Sequence, residues 1–306
     1  MNLKYLLASF LTLFVTMAEA SSYLYVSSAH PRQGITSIEL DEVTGELIGS
    51  ELVGGHGAFM DGTSDFAIYK EYLYATNPGG TRKCVLLSDK SLDNCEDTGS
   101  GFSYPNAIAL REAPSSHTLF AYIGNKPYKE TKSSVSKCTV NANDGSLTNC
   151  ALTGSQFDTP ISIAFYKNFA YIANAGEQKI ITRCSISSSG DLTNCNVIKD
   201  AQITQPRSIA INGSNAYIAD AEQNAIFLCA LSKQDGSLKN CKSTGDGFVY
   251  PNAIRIYHGR LYVVNYQDDS LSTCQIQDQD GSLNNCFRLS HYFSSPYRMI
   301  IYEIPS

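Results

Sequence analysis

The chain has 306 residues, of which 23 are lysine or arginine and 29 are aspartate or glutamate, and its formal net charge is −6. This mildly acidic balance, without a cluster of basic residues, argues against sequence-independent binding to nucleic acid. No apolar run after residue 20 reaches the roughly eighteen residues of a membrane helix, so we expect no transmembrane segment. The length suits one large all-β domain or two ordinary domains.

Residues 1–20 have the three parts of a secretory signal peptide. Lys4 gives the positive start, residues 5–15 are apolar, and residues 18–20 have alanines on both sides of Glu19. The apolar run is too short to cross a bilayer. We therefore expect export to the periplasm or secretion, with a single domain over residues 21–306. A buried first strand or helix is the alternative.

Ten cysteines follow this region in five pairs, with ten or eleven residues between the members of each pair. Export to an oxidising compartment favours disulfide bonds. Structural zinc sites, the alternative, favour ligands about two to four residues apart. The predicted disulfides join sequence neighbours: Cys84–Cys95, Cys138–Cys150, Cys184–Cys195, Cys229–Cys241 and Cys274–Cys286.

A repeated unit of 45 to 49 residues runs through the rest of the chain. Each copy has a proline phrase, as at Pro160, a Tyr-Val or Tyr-Ile phrase, as at Tyr171, and in five copies a cysteine pair. Steps such as Asp144-Gly145 predict hairpins, because these residues accept the positive φ of tight turns. The segments between them are rich in Ile, Val, Tyr and Phe, which is typical of strands.

Four antiparallel strands in such a unit describe the blade of a β-propeller. The mature chain starts with a strand of the Tyr-Val kind, residues 23–26, which is the second in a unit. It finishes with a strand of the proline-phrase kind, residues 295–301, which is the first in a unit and has no partner after it. The sequence therefore predicts an all-β, six-bladed β-propeller, closed by the C-terminal strand completing the N-terminal blade. A solenoid is the alternative, but it would leave the complementary ends unexplained.

The paired cysteines fall on the third and fourth strands of a blade, about equally far from the hairpin. Facing residues there have Cβ atoms about 4.5–5.5 Å apart, close to what a disulfide requires. Each bridge would stabilise the outer rim by up to roughly 3 kcal/mol in the chain-entropy model. The first blade has Ile38 and Ser50 at the matching positions and no bridge.

The repeat resembles the NHL and lactonase-like β-propeller repeats. The likeness rests on Pro-Asn-Ala-Ile at Pro105 and Pro251, on Tyr-Ile-Ala-Asn at Tyr171 and on the Asp-Gly-Ser-Leu hairpin. In gluconolactonase-like members, the asparagine of a Pro-Asn-Gly-Ile-Ala phrase binds a central calcium ion. The resemblance thus implies calcium ligands at Asn106 and Asn252, although alanine replaces the glycine of that phrase.

The residue after the repeat proline is expected to line one mouth of the central channel. By register these positions are Ser64, which follows Thr63 in a worn copy of the phrase, and Asn106, Ile161, Arg207, Asn252 and Tyr297. The set is varied and mostly polar, as a ligand site requires. We take five as candidate binding residues: Ser64, Asn106, Arg207, Asn252 and Tyr297. The second strands end on the same face in residues that we interpret as turn caps: Asn77, Asn125, Asn174, Asp220 and Asn265.

An atypical connection, residues 54–62, adds His56 and Asp61 to the candidate ligand-binding residues. Unusual loops often carry function, and a histidine with an aspartate could serve a hydrolase as base and ligand. No serine nucleophile elbow or His-Glu-x-x-His motif accompanies them. A solvated loop is the alternative.

These patterns support three functions from different classes. The preferred one is an exported, disulfide-stapled binding or scaffolding module, monomeric and without a cofactor, that binds a protein, peptide or glycan at the channel mouth. The second is a calcium-dependent lactonase-like hydrolase with its site in the channel. The third is a purely structural envelope or surface protein.

Overall fold

The structure, a computed structural model, describes residues 22–28, 34–41, 44–54, 62–113, 116–127, 132–290, 293 and 295–303. Within them the chain forms 24 β-strands in six four-stranded antiparallel sheets. These residues contain no helix, and hence none of the length and apolarity that a membrane span needs. The predicted signal peptide lies outside the described residues.

The strands follow the repeat in chain order. Blades 1 to 3 contain β1 (Ser22–Ser28), β2 (Ile35–Leu40), β3 (Leu47–Gly54); β4 (Asp65–Tyr69), β5 (Tyr72–Asn77), β6 (Gly80–Leu86), β7 (Leu92–Asp97); and β8 (Pro105–Glu112), β9 (Leu119–Asn125), β10 (Ser134–Val140), β11 (Leu147–Thr153). Blades 4 to 6 contain β12 (Pro160–Tyr166), β13 (Phe169–Asn174), β14 (Ile181–Ile186), β15 (Leu192–Ile198); β16 (Pro206–Asn212), β17 (Asn215–Asp220), β18 (Ala225–Leu231), β19 (Leu238–Thr244); and β20 (Pro251–Tyr257), β21 (Arg260–Asn265), β22 (Ser270–Ile276), β23 (Leu283–Ser290). The last strand, β24 (Pro296–Glu303), pairs with β1 and completes blade 1.

The six sheets are blades around a central channel. The inner strand of each blade contacts the inner strand of the next, and the series closes between β24 and β4. The predicted six-bladed propeller, with the C-terminal strand completing the N-terminal blade, is confirmed. Closure of the ring removes the exposed sheet edges that terminal blades would otherwise have.

The hydrophobic core of the described residues lies between successive blades. Six apolar clusters fill the six interfaces. Between blades 4 and 5, for example, Ile161 and Tyr171 pack with Ile209 and Phe227. Side chains alternate along a strand, so each sheet has one face toward each neighbour. Every blade therefore depends on both neighbours to remove its apolar surface from water.

A buried tyrosine in the second strand joins each of five blades to the outer hairpin of the next. Its hydroxyl donates to a glycine carbonyl oxygen 2.5–2.7 Å away. The pairs are Tyr74 with Gly145, Tyr122 with Gly190, Tyr171 with Gly236, Tyr217 with Gly281, and Tyr262 with Gly45. The sixth hairpin, which joins β6 and β7 of blade 2 beside blade 1, has Lys90 instead of glycine in the left-handed conformation (φ 72°).

The hairpin glycines meet two requirements at once. Gly145 has a φ of 69°, which favours glycine over residues with a Cβ atom. A Cβ atom there would lie 2.6 Å from the Tyr72 ring of the preceding blade. Gly236 is restricted in the same way, since its Cβ would lie 2.6 Å from Phe169. The glycine of the Asp-Gly step thus allows the turn and also leaves room for an aromatic ring of the neighbouring blade.

All five predicted disulfides are present, each between the two outer strands of one blade. The paired Cα atoms are 4.0–4.1 Å apart, and the strand register shifts at every bridge. An asparagine in the left-handed conformation, such as Asn149 (φ 50°), precedes the second cysteine in all five blades. Asparagine tolerates this conformation, so the Asn-Cys step forms the bulge at the bridge. Ile38 pairs with Ser50 in the unbridged blade, as predicted.

These buried tyrosines predict a loss of stability in alkali. Burial raises the pKa of four of them to about 12: Tyr122, Tyr171, Tyr217 and Tyr262. Tyrosine in an unfolded chain has a pKa of about 10. Between pH 10 and 12 the unfolded chain loses protons that the folded protein keeps, so the free energy of unfolding decreases. The limit is roughly 1.4 kcal/mol per unit of raised pKa, measurable by denaturant unfolding from pH 9 to 12.

The Tyr171→Phe variant is the control for this pH dependence. It removes one of the raised groups, so its free energy of unfolding should fall less steeply above pH 10. Absorbance of the phenolate should show a set of tyrosines that ionise only on unfolding. A folded protein in which every tyrosine ionises near pH 10 would contradict the expectation.

Candidate functional site

The candidate residues reach one end of the channel because a β-bulge recurs at the start of the inner strands. In five blades the register skips the residue after the repeat proline: Asn106, Ile161, Arg207, Asn252 and Tyr297. A bulge redirects the side chain of the extra residue. Blade 2 begins differently, since Ser64 precedes β4 and donates its N–H to the Thr76 carbonyl. We call this end of the channel the mouth.

Three of the candidates are joined by hydrogen bonds. The Asn252 amide accepts from Arg207 Nε at 2.8 Å and donates to the Tyr297 carbonyl at 2.7 Å. Asn252 is fully buried, so its side chain links blades 5, 6 and 1 rather than facing solvent. Ser64 is also buried, and its hydroxyl donates to the Gly62 carbonyl at 3.5 Å.

The axis of the channel is occupied by Arg298, which the sequence analysis did not select. Its side chain is buried, and Nε donates to the Ser64 carbonyl at 3.1 Å. Nη2 donates to the Ile161 carbonyl at 3.2 Å, and Nη1 donates to the Asn252 carbonyl. These carbonyls belong to blades 2, 4 and 6. The three nitrogens of one guanidinium therefore bond alternate blades around the ring.

Asp65 lies at the position in its repeat unit that Arg298 has in blade 1. The other four units have small residues there: Ala107, Ser162, Ser208 and Ala253. The Asp65 carboxylate accepts from the Ile108 N–H at 3.1 Å and from Arg255 Nη2 at 3.2 Å. Burial raises the pKa of Asp65, against the opposing effect of Arg255 and Arg298. A charged residue at a position where the other units have alanine or serine is the sequence signal that could have pointed to Asp65 and Arg298.

Positive charge collects at the mouth. Lys126 follows β9, and burial lowers its pKa, with further lowering by Arg298 and Arg207. Burial opposes ionisation of the Tyr297 phenol, yet Arg298, Arg207 and Lys126 together lower its pKa below the ordinary value. A local excess of one charge sign attracts ligands of the opposite sign. A protein of net charge −6 thus has a cationic site at one end of its channel.

Aromatic side chains lie beside this charge. The rings of Tyr250 and Tyr266 have centroids 5.9 Å apart, and those of Tyr266 and Tyr297 are 6.1 Å apart in an edge-to-face arrangement. The Arg207 guanidinium lies 5.9 Å from the Tyr250 ring centroid. All four side chains are partly exposed. We call the three rings the tyrosine cluster.

The residues that end the second strands bond nearby backbone N–H groups, in keeping with their interpretation as caps. Asn125 accepts from Ser103 at 3.2 Å, and Asn174 accepts from Asp158 at 3.0 Å. Three further residues act similarly: Asn77 on Gly79, Asp220 on Thr204 and Gln205, and Asn265 on Val249. These bonds hold the loops that frame the mouth.

The residues around Asn106 and Asn252 are a poor fit to calcium, which prefers about six to eight oxygen ligands including carboxylates. The Asn252 Oδ1 atom already accepts from Arg207, and Arg298 brings a cation to the axis. In the part of the chain that the structure describes, no three His, Cys, Asp or Glu side chains form a metal-binding group. His56 and Asp61 lie outside the described residues. Calcium binding rests on the resemblance and stays a prediction.

The other end of the channel has a different lining. It forms a cavity of about 270 Å³ with apolar walls that include Ile68, Leu110, Ile163 and Ile209. Asp65 and Arg255 supply its charged groups. None of the candidate residues from the sequence lines this cavity.

Comparison with solved structures finds β-propellers. A chain of the nidogen/laminin complex aligns with a TM-score of 0.69 over 92% of this chain and 98% of that one. The periplasmic gluconolactonase of Pseudomonas aeruginosa aligns with 0.66 over 93% and 100%, and a putative 6-phosphogluconolactonase from Bacteroides fragilis with 0.61 over 94% and 99%. Identity is 14% in each case, so the likeness shows the fold alone. No protein-family model matches the sequence, nor does any curated protein.

Replacing Arg298 tests its role at the axis. The Arg298→Met variant leaves three backbone carbonyls without this donor and removes a cation near the buried Asp65. We expect the free energy of unfolding to fall by about 3 kcal/mol or more. The matched Arg111→Met variant removes an exposed bond to one carbonyl, of Lys167, and should cost about 1 kcal/mol. Equal losses in denaturant unfolding would refute the axial role.

Proposed function

We propose that the protein is an exported binding module whose channel mouth binds a protein partner. The tyrosine cluster beside Arg207 is the observation that carries this proposal. Tyrosine and arginine are enriched among the residues that dominate binding energy at protein interfaces. Their partial exposure leaves surface that a partner would bury.

The scaffold beneath the mouth suits a preformed binding surface. Arg207, Asn252 and Tyr297 are connected by hydrogen bonds, and Arg298 joins alternate blades directly below them. The five disulfides fix the outer rim and fit an oxidising extracellular or periplasmic environment. A surface that is already ordered loses less conformational entropy on binding.

The structural likenesses add support of two kinds. A propeller of the same fold occurs in the nidogen/laminin complex, which favours a protein as the partner over a free peptide or a glycan. Propellers of the lactonase type share the fold as well, in keeping with an NHL or lactonase-like origin of the repeat. The mouth-face residues are the ones that a binding experiment should change.

Partner binding is tested with two variants at the mouth and one arginine variant away from it as the control. Partners captured on the immobilised protein from the host's exported fraction are purified, and their dissociation constants are measured. We expect Tyr266→Ala and Arg207→Met to weaken binding at least about tenfold, because anchor residues usually cost more than 1 kcal/mol when truncated. The Arg111→Met variant, near the end of β8 away from the mouth and beside Phe165 of blade 4, should bind normally. Wild-type affinity of both mouth variants would place the interface elsewhere.

A calcium-dependent lactonase-like hydrolase is the second candidate, favoured by the likeness in fold to the periplasmic gluconolactonase. Metal analysis separates the two functions. After dialysis against calcium and then buffer, we expect no stoichiometric calcium and no lactone hydrolysis, since Arg207 bonds Asn252 and Arg298 bonds the carbonyls of both ring neighbours of Asn106. One bound calcium per chain that is lost in Asn106→Ala, together with lactone turnover, would favour the hydrolase.

A further inference from the structure

Asn106 has an unusual environment for a buried amide. It is 1% exposed, and neither Oδ1 nor Nδ2 hydrogen-bonds to any residue that the structure describes. A buried polar group without a partner costs free energy comparable to its desolvation. Such groups call for an explanation, and a functional role, such as binding an ion, is one of the accepted ones.

The equivalent residue in blade 6 shows what Asn106 lacks. Asn252 has the same bulge position, and its amide bonds the Arg207 side chain on one side and the Tyr297 carbonyl on the other. The neighbours of Asn106 in the ring are Ser64 and Ile161. Their carbonyls are both occupied by the Arg298 guanidinium, and the Ile161 side chain offers no polar atom. The Asn106 amide is thus left without a hydrogen-bond partner among the described residues, between the two carbonyls that Arg298 bonds.

The groups nearest to this open amide are cationic. Lys126 follows the strand that pairs with β8, so it lies at the same end of blade 3 as Asn106. Arg298 bonds the carbonyls of both ring neighbours of Asn106. An anion at this point would be stabilised by these two positive side chains. The Asn106 Nδ2 atom adds a neutral donor.

We infer that the mouth binds an acidic residue of the partner protein, with Asn106 as its specific contact. The carboxylate accepts from Asn106 Nδ2 and pairs with Lys126, while a peptide N–H of the partner donates to Asn106 Oδ1. A simple anion would satisfy the cations but not Oδ1, which needs a donor. The Asn106 amide offers both a donor for the carboxylate and an acceptor for the peptide N–H. This assignment rests on the proposed function, since the acidic residue belongs to the partner protein.

Small probes that differ by one group test the assignment by isothermal titration of the full chain. N-acetylglycine has a carboxylate and an amide N–H, N-acetylsarcosine lacks the N–H, and N-acetylglycinamide lacks the charge. We expect N-acetylglycine to bind about tenfold more tightly than N-acetylsarcosine, and the neutral amide not to bind. The N-methylamide of N-acetylaspartate shows whether a side-chain carboxylate is preferred to a chain terminus. Equal binding of the first two probes, or binding of no carboxylate probe, overturns the assignment.

Two asparagine variants test whether the Asn106 amide serves ligand binding or the stability of the fold. Asn106→Leu should melt at a higher temperature than the wild type without ligand, because it removes an unpaired buried polar group, and it should no longer bind the probes. Asn252→Leu should melt lower, because it deprives Arg207 and the Tyr297 carbonyl of their partner. A lower melting temperature for Asn106→Leu would mean that its amide has a structural role, and the assignment would fall.

A lysine pair tests the charge. Lys126→Met should weaken probe binding about tenfold, whereas Lys233→Met, an equal loss of charge in an exposed hairpin of the rim, should leave it unchanged. These titrations use no partner protein. Failure of the probes with intact partner binding would reject the acidic residue alone, and failure of the mouth variants to affect the partner would reject the proposed function alone.

Discussion

One buried guanidinium holds the centre of this ring. Taking an arginine out of water costs several kcal/mol unless its donors find partners, and Arg298 finds them in three backbone carbonyls of blades 2, 4 and 6. Arg298 belongs to β24, the strand that completes blade 1. The segment that closes the ring therefore also fills its axis, and both events require the last residues of the chain to be in place.

The contacts at the rim repeat from blade to blade, whereas the residues at the axis differ. At the rim the same contacts recur, with a tyrosine hydroxyl on a glycine carbonyl and a disulfide beside a left-handed asparagine. At the axis the blades differ, because Asp65, Arg207 and Arg298 each occur once at their positions. Contacts that recur in most blades stabilise the scaffold but do not make any one blade different from the others. The unique residues make one sector of the mouth cationic and aromatic, which is where binding is proposed.

Repetition explains how much of this could be predicted from the sequence. Blade number, strand order, ring closure and cysteine pairing follow from spacing along the chain, and all were predicted correctly. Arg298 was missed although other units have a small residue or an aspartate at its position, because its partners are 46 to 234 residues away in sequence and no spacing identifies them. Asn106 and Asn252 look identical in the sequence, yet their neighbours give one amide two partners and leave the other with none among the described residues.

The position of Arg298 also divides the interior of the molecule. One side of the guanidinium faces the cationic mouth, and the other end of the channel is the apolar cavity with Asp65 and Arg255. The guanidinium that bridges alternate blades therefore lies between the two ends of the channel. A solute meets cationic and aromatic side chains at one end and a largely apolar lining at the other, so the two ends suit different molecules.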